Sequence, residues 1–180
     1  MTDQDARHDD TPLKQFHGCH AGILDRLKAL DELPALIEPA ARARRIAAQA
    51  LEFFREAIFE HHLEEERDLF PAVVASAQPG EEREHVLAMV QRLTDEHRAI
   101  EKLWKGLERG LKQVAKGHDT ELDVMDLHEL VGRYQAHAAY EEQAFLPLSE
   151  RILSRNPNHM AALGVSLHIR HARPIVPAYV

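Results

Sequence analysis

Cysteine is almost missing from this chain. Cys19 is the only one in 180 residues, so no disulfide can close within it, no metal site can be built from thiolates alone, and a reducing compartment is expected. Positive charge is short as well: 22 Lys and Arg face 30 Asp and Glu, a formal net charge of −8. With no basic stripe to neutralise phosphates, a general nucleic-acid surface is excluded. No run approaches the roughly 18 apolar residues of a membrane span, and the opening Met1-Thr2-Asp3-Gln4-Asp5 is acidic and lacks an apolar leader core. A cytoplasmic location is expected, with neither membrane nor nucleic acid as a partner.

Strand-like alternation is missing too, whereas helical periodicity runs throughout. At 44% hydrophobic and 29% charged, the chain suits one domain with a single buried core. Counting in threes and fours from His20 collects Leu13, Phe16, Ile23, Leu24 and Leu27, and from His61 it collects Leu51, Phe54, Ile58 and Glu65. From His97 come Val90, Leu93, Ile100, Trp104 and Leu107, and from His137 come Leu127, Leu130, Tyr134, Glu141 and Leu148. Four amphipathic helices are predicted, with these histidines on their buried faces.

Pro34 and Pro39 bracket the expected first connection, Gln78-Pro79-Gly80 the second, and Gly117 with Asp119 or Thr120 the third. Short connections make neighbouring helices antiparallel. The predicted fold is therefore all-α, an up-down-up-down four-helix bundle with a metal site in its core. It is expected over residues 12–156, after a flexible N-terminus at 1–11 and before a short C-terminal helix and extended tail at 157–180. Pro71 and Pro147 each lie six residues beyond a glutamate and are expected to kink or weaken their helices below the site.

The metal site is argued from a doubled pattern. His20 precedes His61-His62-Leu63-Glu64-Glu65, and His97 precedes His137-Ala138-Ala139-Tyr140-Glu141. His20 and His61 stand 41 residues apart, His97 and His137 stand 40 apart, and the two glutamates stand 76 apart. Residues four apart share a helix face, so His61 with Glu65, and His137 with Glu141, can each offer an imidazole and a carboxylate to one cavity. His20 and His97 complete the set from the other two helices. Buried carboxylates without partners cost several kcal/mol, roughly, or become protonated, and cations remove that penalty. Imidazole with carboxylate suits iron, manganese or zinc. Two cations are expected, with iron favoured.

These segments carry a family resemblance. Cys19-His20-Ala21-Gly22-Ile23-Leu24, Glu96-His97-Arg98 and the two copies of H-x-x-x-E-E-x-x-[LF]-[FL]-P ending at Pro71 and Pro147 resemble those of hemerythrin-like cation-binding domains over roughly residues 12–155. The resemblance implies a four-helix bundle with a non-haem di-iron centre, in proteins that bind oxygen, respond to nitric oxide or peroxide, repair iron centres or sense iron. Carried over residue by residue, it points to His20, His61, Glu65, His97, His137 and Glu141. Oxygen carriers of this kind have a further histidine four residues before the one on helix three, where this chain has Leu93. Iron-repair members have an added cysteine-bearing N-terminal segment that is not seen here. A seventh ligand has three candidates, His62, Glu101 and His17.

The neighbours have plainer expectations. His62 lies about 100° round the helix from His61 and is read as a surface residue or as one standing behind the ligands. Glu101 is read as solvated or salt-bridged, and Glu64, Glu66 and Glu142 as solvated faces. Tyr134 is one turn before His137, where its hydroxyl could reach a bound ligand, and Cys19 is read as packing. The residues His168, Arg170, His171 and Arg173 form a small basic patch in the tail. The function expected first is binding or sensing of oxygen or nitric oxide at the di-iron centre. An oxidoreductase acting on peroxide or nitric oxide, and an iron-sensing interaction protein, are the alternatives. The small ligand is the expected partner; no protein partner is specified.

Overall fold

Helix stops and starts in this chain are written by glycine and acid, and proline acts differently from expectation. A computed structural model of the protein describes residues 12–155. The expectations for residues 1–11, for the C-terminal helix, tail and basic patch, and for the side chains of His17 and Cys19, lie outside the residues and side chains described. The chain divides into two units, Met1–Ala43 and Arg44–Val180. All regular structure among the described residues is helical. No helix among them is long and apolar enough to cross a membrane.

The first helix, α1, covers Pro12–Phe53 and contains both Pro34 and Pro39. This corrects the expectation of a connection there. Each proline removes one backbone donor, but the carbonyls so freed, on Leu30 and Ala35, belong to exposed residues, where water can take the missing bond. Ile23, Leu24 and Leu27, expected on a buried face, are more than half exposed, at 52%, 57% and 51%.

In the second unit, helical turns continue as α2 (Phe59–Glu64) and α3 (Phe70–Ser76), joined by π-helical segments at Phe54–Ile58 and Glu65–Leu69. Gly80, at φ +98°, precedes α4 (Glu81–Lys116), whose first turn carries Glu81, Glu82 and Glu84 against the positive end of the helix dipole. Glu82 accepts from the backbone N–H of Gln78 at 2.7 Å and takes both guanidinium nitrogens of Arg155 at 2.6 and 2.7 Å. Gly117, at φ +74°, ends α4: its N–H donates to Val114 and that of His118 to Gln113, the paired bonds that left-handed glycine permits at a helix C-terminus.

The third connection extends further than expected. Helix α5 (Val124–Tyr140) is capped by Asp123, whose carboxylate accepts from the N–H groups of Met125 and Asp126 at 2.9 and 3.0 Å. A π-helical segment, Glu141–Phe145, then leads into α6 (Leu146–Leu153).

Two apolar clusters form the core of this unit. One joins Phe70, Val73, Val86, Met89 and Leu93 to Phe145, Leu148, Ile152 and Leu153. The other joins Ala47, Ile100, Trp104, Leu107, Leu111 and Leu130, with Phe54 stacked on Trp104 at 3.8 Å between ring centroids. The buried stripe of α4 runs Val86, Met89, Leu93, His97, Ile100, Trp104, Leu107, Leu111, an amphipathic 3.6-residue repeat interrupted by one polar residue. That residue is His97, set between Leu93 of the first cluster and Ile100 of the second.

Candidate metal centre

The two halves of the doubled motif build the same local device. His61 and His62 lie in the last turn of α2 and His137 in the last turn of α5, while Glu65 and Glu141 each open the π-helical segment that follows. Pro71 and Pro147 stand at the second position of α3 and α6. Lacking an N–H, each proline cannot complete the regular i to i−4 ladder at that point. The wider turn before it is closed instead by Phe70 donating to Glu65 and Leu146 donating to Glu141, five residues back. The distortion expected below the site is instead a π turn that starts on the glutamate itself, a feature often found at functional sites.

Six side chains converge in two groups of three. His62, His97 and His137 bring ring nitrogens within 4.8 Å of one another, as do the ligand atoms of His61, Glu65 and Glu141. The rings of His62 and His97 stack at 3.8 Å between centroids, and that of His137 stands edge-on to His97 at 4.8 Å. Glu65 spans the groups: one carboxylate oxygen lies 3.2 Å from His61 Nε2 and the other 3.3 Å from His97 Nε2. Glu141 lies 3.9 Å from His137 Nε2 and shares a hydrogen bond with Glu65.

Among the residues singled out from sequence, His61, Glu65, His97, His137 and Glu141 are brought together. His20, on α1, is exposed and belongs to neither group. His62 corrects its expectation, being 1% exposed, whereas the side chain of His61 is 50% exposed. Two glutamates missed by sequence reasoning border the site. Glu66, expected on a solvated face, lies 2.8 Å from His97 Nδ1, and Glu96 lies 3.1 Å from His137 Nδ1. Glu101 does pair with a cation, accepting from Arg98 at 2.9 Å.

The electrostatics show what this group lacks. Burial pushes the Glu141 carboxyl up to about 8, and its hydrogen bond with Glu65 and the Glu65 charge add to the rise. Burial raises Glu65 also, partly offset by that hydrogen bond. Burial, and then the neighbouring His97 and His137, hold His62 down to about 2. Burial also lowers His137, against the opposing effect of its bond to Glu96. Near neutral pH the pair of carboxyls therefore shares a proton, and the imidazoles of His62 and His137 are uncharged.

Seven buried side-chain nitrogens and oxygens among the described residues have no hydrogen-bond partner, and six belong here: both ring nitrogens of His62, Nε2 of His97 and His137, and one oxygen each of Glu65 and Glu141. Buried polar atoms in a folded protein are nearly always partnered. Imidazole nitrogens and carboxylate oxygens facing one another, with no thiolate present, fit one or more first-row divalent cations.

A match to the family model of the hemerythrin HHE cation binding domain extends over residues 11–149. The chain belongs to this family. A protein of Haemophilus influenzae (strain ATCC 51907 / DSM 11121 / KW20 / Rd), described as an uncharacterized protein, is 25% identical over 158 residues, covering 84% of this chain and 88% of its own length. No solved structure matches the chain significantly. Membership of a cation-binding family accords with the two groups of side chains that could hold a metal ion.

Proposed function

We propose that this domain holds two iron ions side by side and uses them to bind or sense oxygen or nitric oxide, with manganese or zinc as alternative occupants. The observation that carries this reading is the position of Glu65, one oxygen beside His61 and the other beside His97. A carboxylate spanning two groups of ligands is what a pair of cations requires. On this reading His62, His97 and His137, together with His61, Glu65 and Glu141, would hold the ions. The expectations for His20 and for the four-helix arrangement rest on the resemblance alone.

When bound, two redox-active ions supply coordination positions and electrons for a diatomic ligand. The protein's own residues shape what surrounds it. Leu93, with no exposed surface, lies one turn before His97 on the buried stripe of α4, where it excludes water. Tyr134, half-buried, has its ring 6.4 Å from that of His62 and 6.0 Å from that of His137. Burial, and then the charges of Glu65 and Glu141, raise its hydroxyl above the ordinary range. It therefore keeps its proton and can donate a hydrogen bond to a ligand in the cavity. The test is stopped-flow mixing of the iron-loaded, reduced protein with oxygen and with nitric oxide. Reversible spectral change without turnover supports ligand binding; steady consumption of either gas supports an oxidoreductase.

The buried Glu65–Glu141 pair favours a second reading, an iron sensor. Two carboxyls that must share a proton weaken the metal-free fold, and cations relieve the strain. A metal-free protein that melts no earlier than the loaded one would rule this out.

A further inference from the structure

Each imidazole of the three-histidine group is backed on its outer side by a carboxylate. Glu66 meets His97 Nδ1 at 2.8 Å, Glu96 meets His137 Nδ1 at 3.1 Å, and Glu101 stands 3.8 Å from His62 Nδ1. The three carboxylates are held in turn by two arginines. Arg98 donates to both Glu66 and Glu101. Arg92 donates to Glu96 at 2.8 Å, and its guanidinium lies 3.5 Å over the ring of Tyr140.

We infer that Glu66 and Glu96 are positioning residues: each takes the Nδ1–H of its histidine, so that His97 and His137 present Nε2 lone pairs to the centre. This rests on the reading of the centre as a metal site. The chemistry of the contact decides the proton's place, because an ionised carboxylate can only accept; the ring nitrogen facing it must carry the hydrogen. The other nitrogen, Nε2, is in both rings the buried atom without a partner. Such carboxylate–histidine pairs fix the tautomer and ring orientation of a ligand and raise its basicity. The arginines hold these glutamates in place beside the rings, so that they do not swing to solvent. Each contact is charge-assisted, with one guanidinium nitrogen on each carboxylate.

Geometry separates the third pair from the other two. At 3.8 Å, Glu101 is too distant to bond His62, and both nitrogens of that ring are without a partner. His62 is therefore oriented by stacking on His97 and not by a hydrogen bond, and substitution of Glu101 is expected to change metal affinity less than substitution of Glu66 or Glu96.

The test begins with metal-free wild-type protein and nitrogen-15 NMR of its imidazoles. His97 and His137 as Nδ1–H tautomers support the inference; Nε2–H tautomers in either ring overturn its assignment there, whether or not the protein binds metal. The variants E66L, E96L and E101L are then titrated with zinc alone, with helical content checked by circular dichroism. E66L and E96L are expected to lose the tautomer and to bind zinc about 10- to 100-fold more weakly. E66Q and E96Q, whose amide oxygen can still accept, should recover the tautomer and part of the affinity. Wild-type tautomers and affinity in E66L and E96L would overturn the positioning role. Failure of the wild-type protein to take up any metal would instead remove the reading of the centre, with the tautomer result still standing on its own.

Discussion

His62 and His97 stack face to face, their ring centroids 3.8 Å apart and their planes 6° from parallel. Neither ring carries more than 1% of its residue's surface to solvent. Packing of this kind fixes the orientation of both rings, and burial together with the neighbouring histidines keeps His62 from protonating. Replacing His62 by alanine is expected to reduce bound metal from about two ions per chain to about one, while the metal-free protein keeps its helical content. Elemental analysis of the purified variant decides it; two ions retained would remove His62 from the ligand set.

The carboxyl pair predicts how stability responds to pH. Glu141 is raised from 4.5 to about 8 in the fold, so between those values the unfolded chain has released a proton that the folded chain still holds. By linkage, stability is then fullest below the unfolded value and declines as pH rises through the folded one. His62 and His137, both lowered from 6.5 in the fold, act in the opposite sense below that value, so the melting temperature of the metal-free protein should fall between about pH 7 and pH 8, and Glu141→Gln should flatten the fall. Metal uptake, which displaces the shared proton, should strengthen over the same range. A metal-free wild-type protein whose melting temperature rose across it would contradict the shared proton.

Leu93→His introduces an imidazole one turn before His97, at a fully buried position. Without metal it should destabilise the fold by about 1–3 kcal/mol, the cost of an unsatisfied buried polar group. Iron should recover much of that loss and give an altered visible spectrum. Equal melting losses with and without metal, and an unchanged spectrum, would show that position 93 does not reach the centre.

Gly117 supplies a control remote in chemistry from the metal. At φ +74° a side chain is strained, and a Cβ there would lie 3.2 Å from Arg44 Cδ. Gly117→Ala should cost about 1–2 kcal/mol and leave metal stoichiometry unchanged. Denaturant melts and metal analysis of the same preparation test both halves of the statement.

Much of the second unit was legible in the chain. The buried stripe of α4 around His97, the glycine that ends it, and the pairing of His61 with Glu65 and His137 with Glu141 all follow from helical period and cap chemistry. Three features were hidden, each for a physical reason. Pro34 and Pro39 read as a connection, because an interior proline removes a donor and crowds the carbonyl four residues back, yet both lie inside α1 where water can satisfy the exposed carbonyls. His61 and His62 are neighbours, and which of them faces inward depends on the turns before them. Each of them keeps a helical interval of three or four residues to both Ile58 and Glu65, and the structure buries Ile58, His62, Glu65 and Leu69 together. Glu66 was read as solvated and Glu96 was given no role, because their partners lie 31 and 41 residues away. A period counted along one helix carries no information about a bond to another.

The most direct measurement is the metal content of the full chain after anaerobic reconstitution with ferrous iron, by elemental analysis with the visible spectrum recorded before and after exposure to air. About two irons per chain, with absorption that changes on exposure, is the expected result. A chain that retains no iron, and equally fails to retain manganese or zinc, would contradict a dinuclear centre at Glu65 and Glu141.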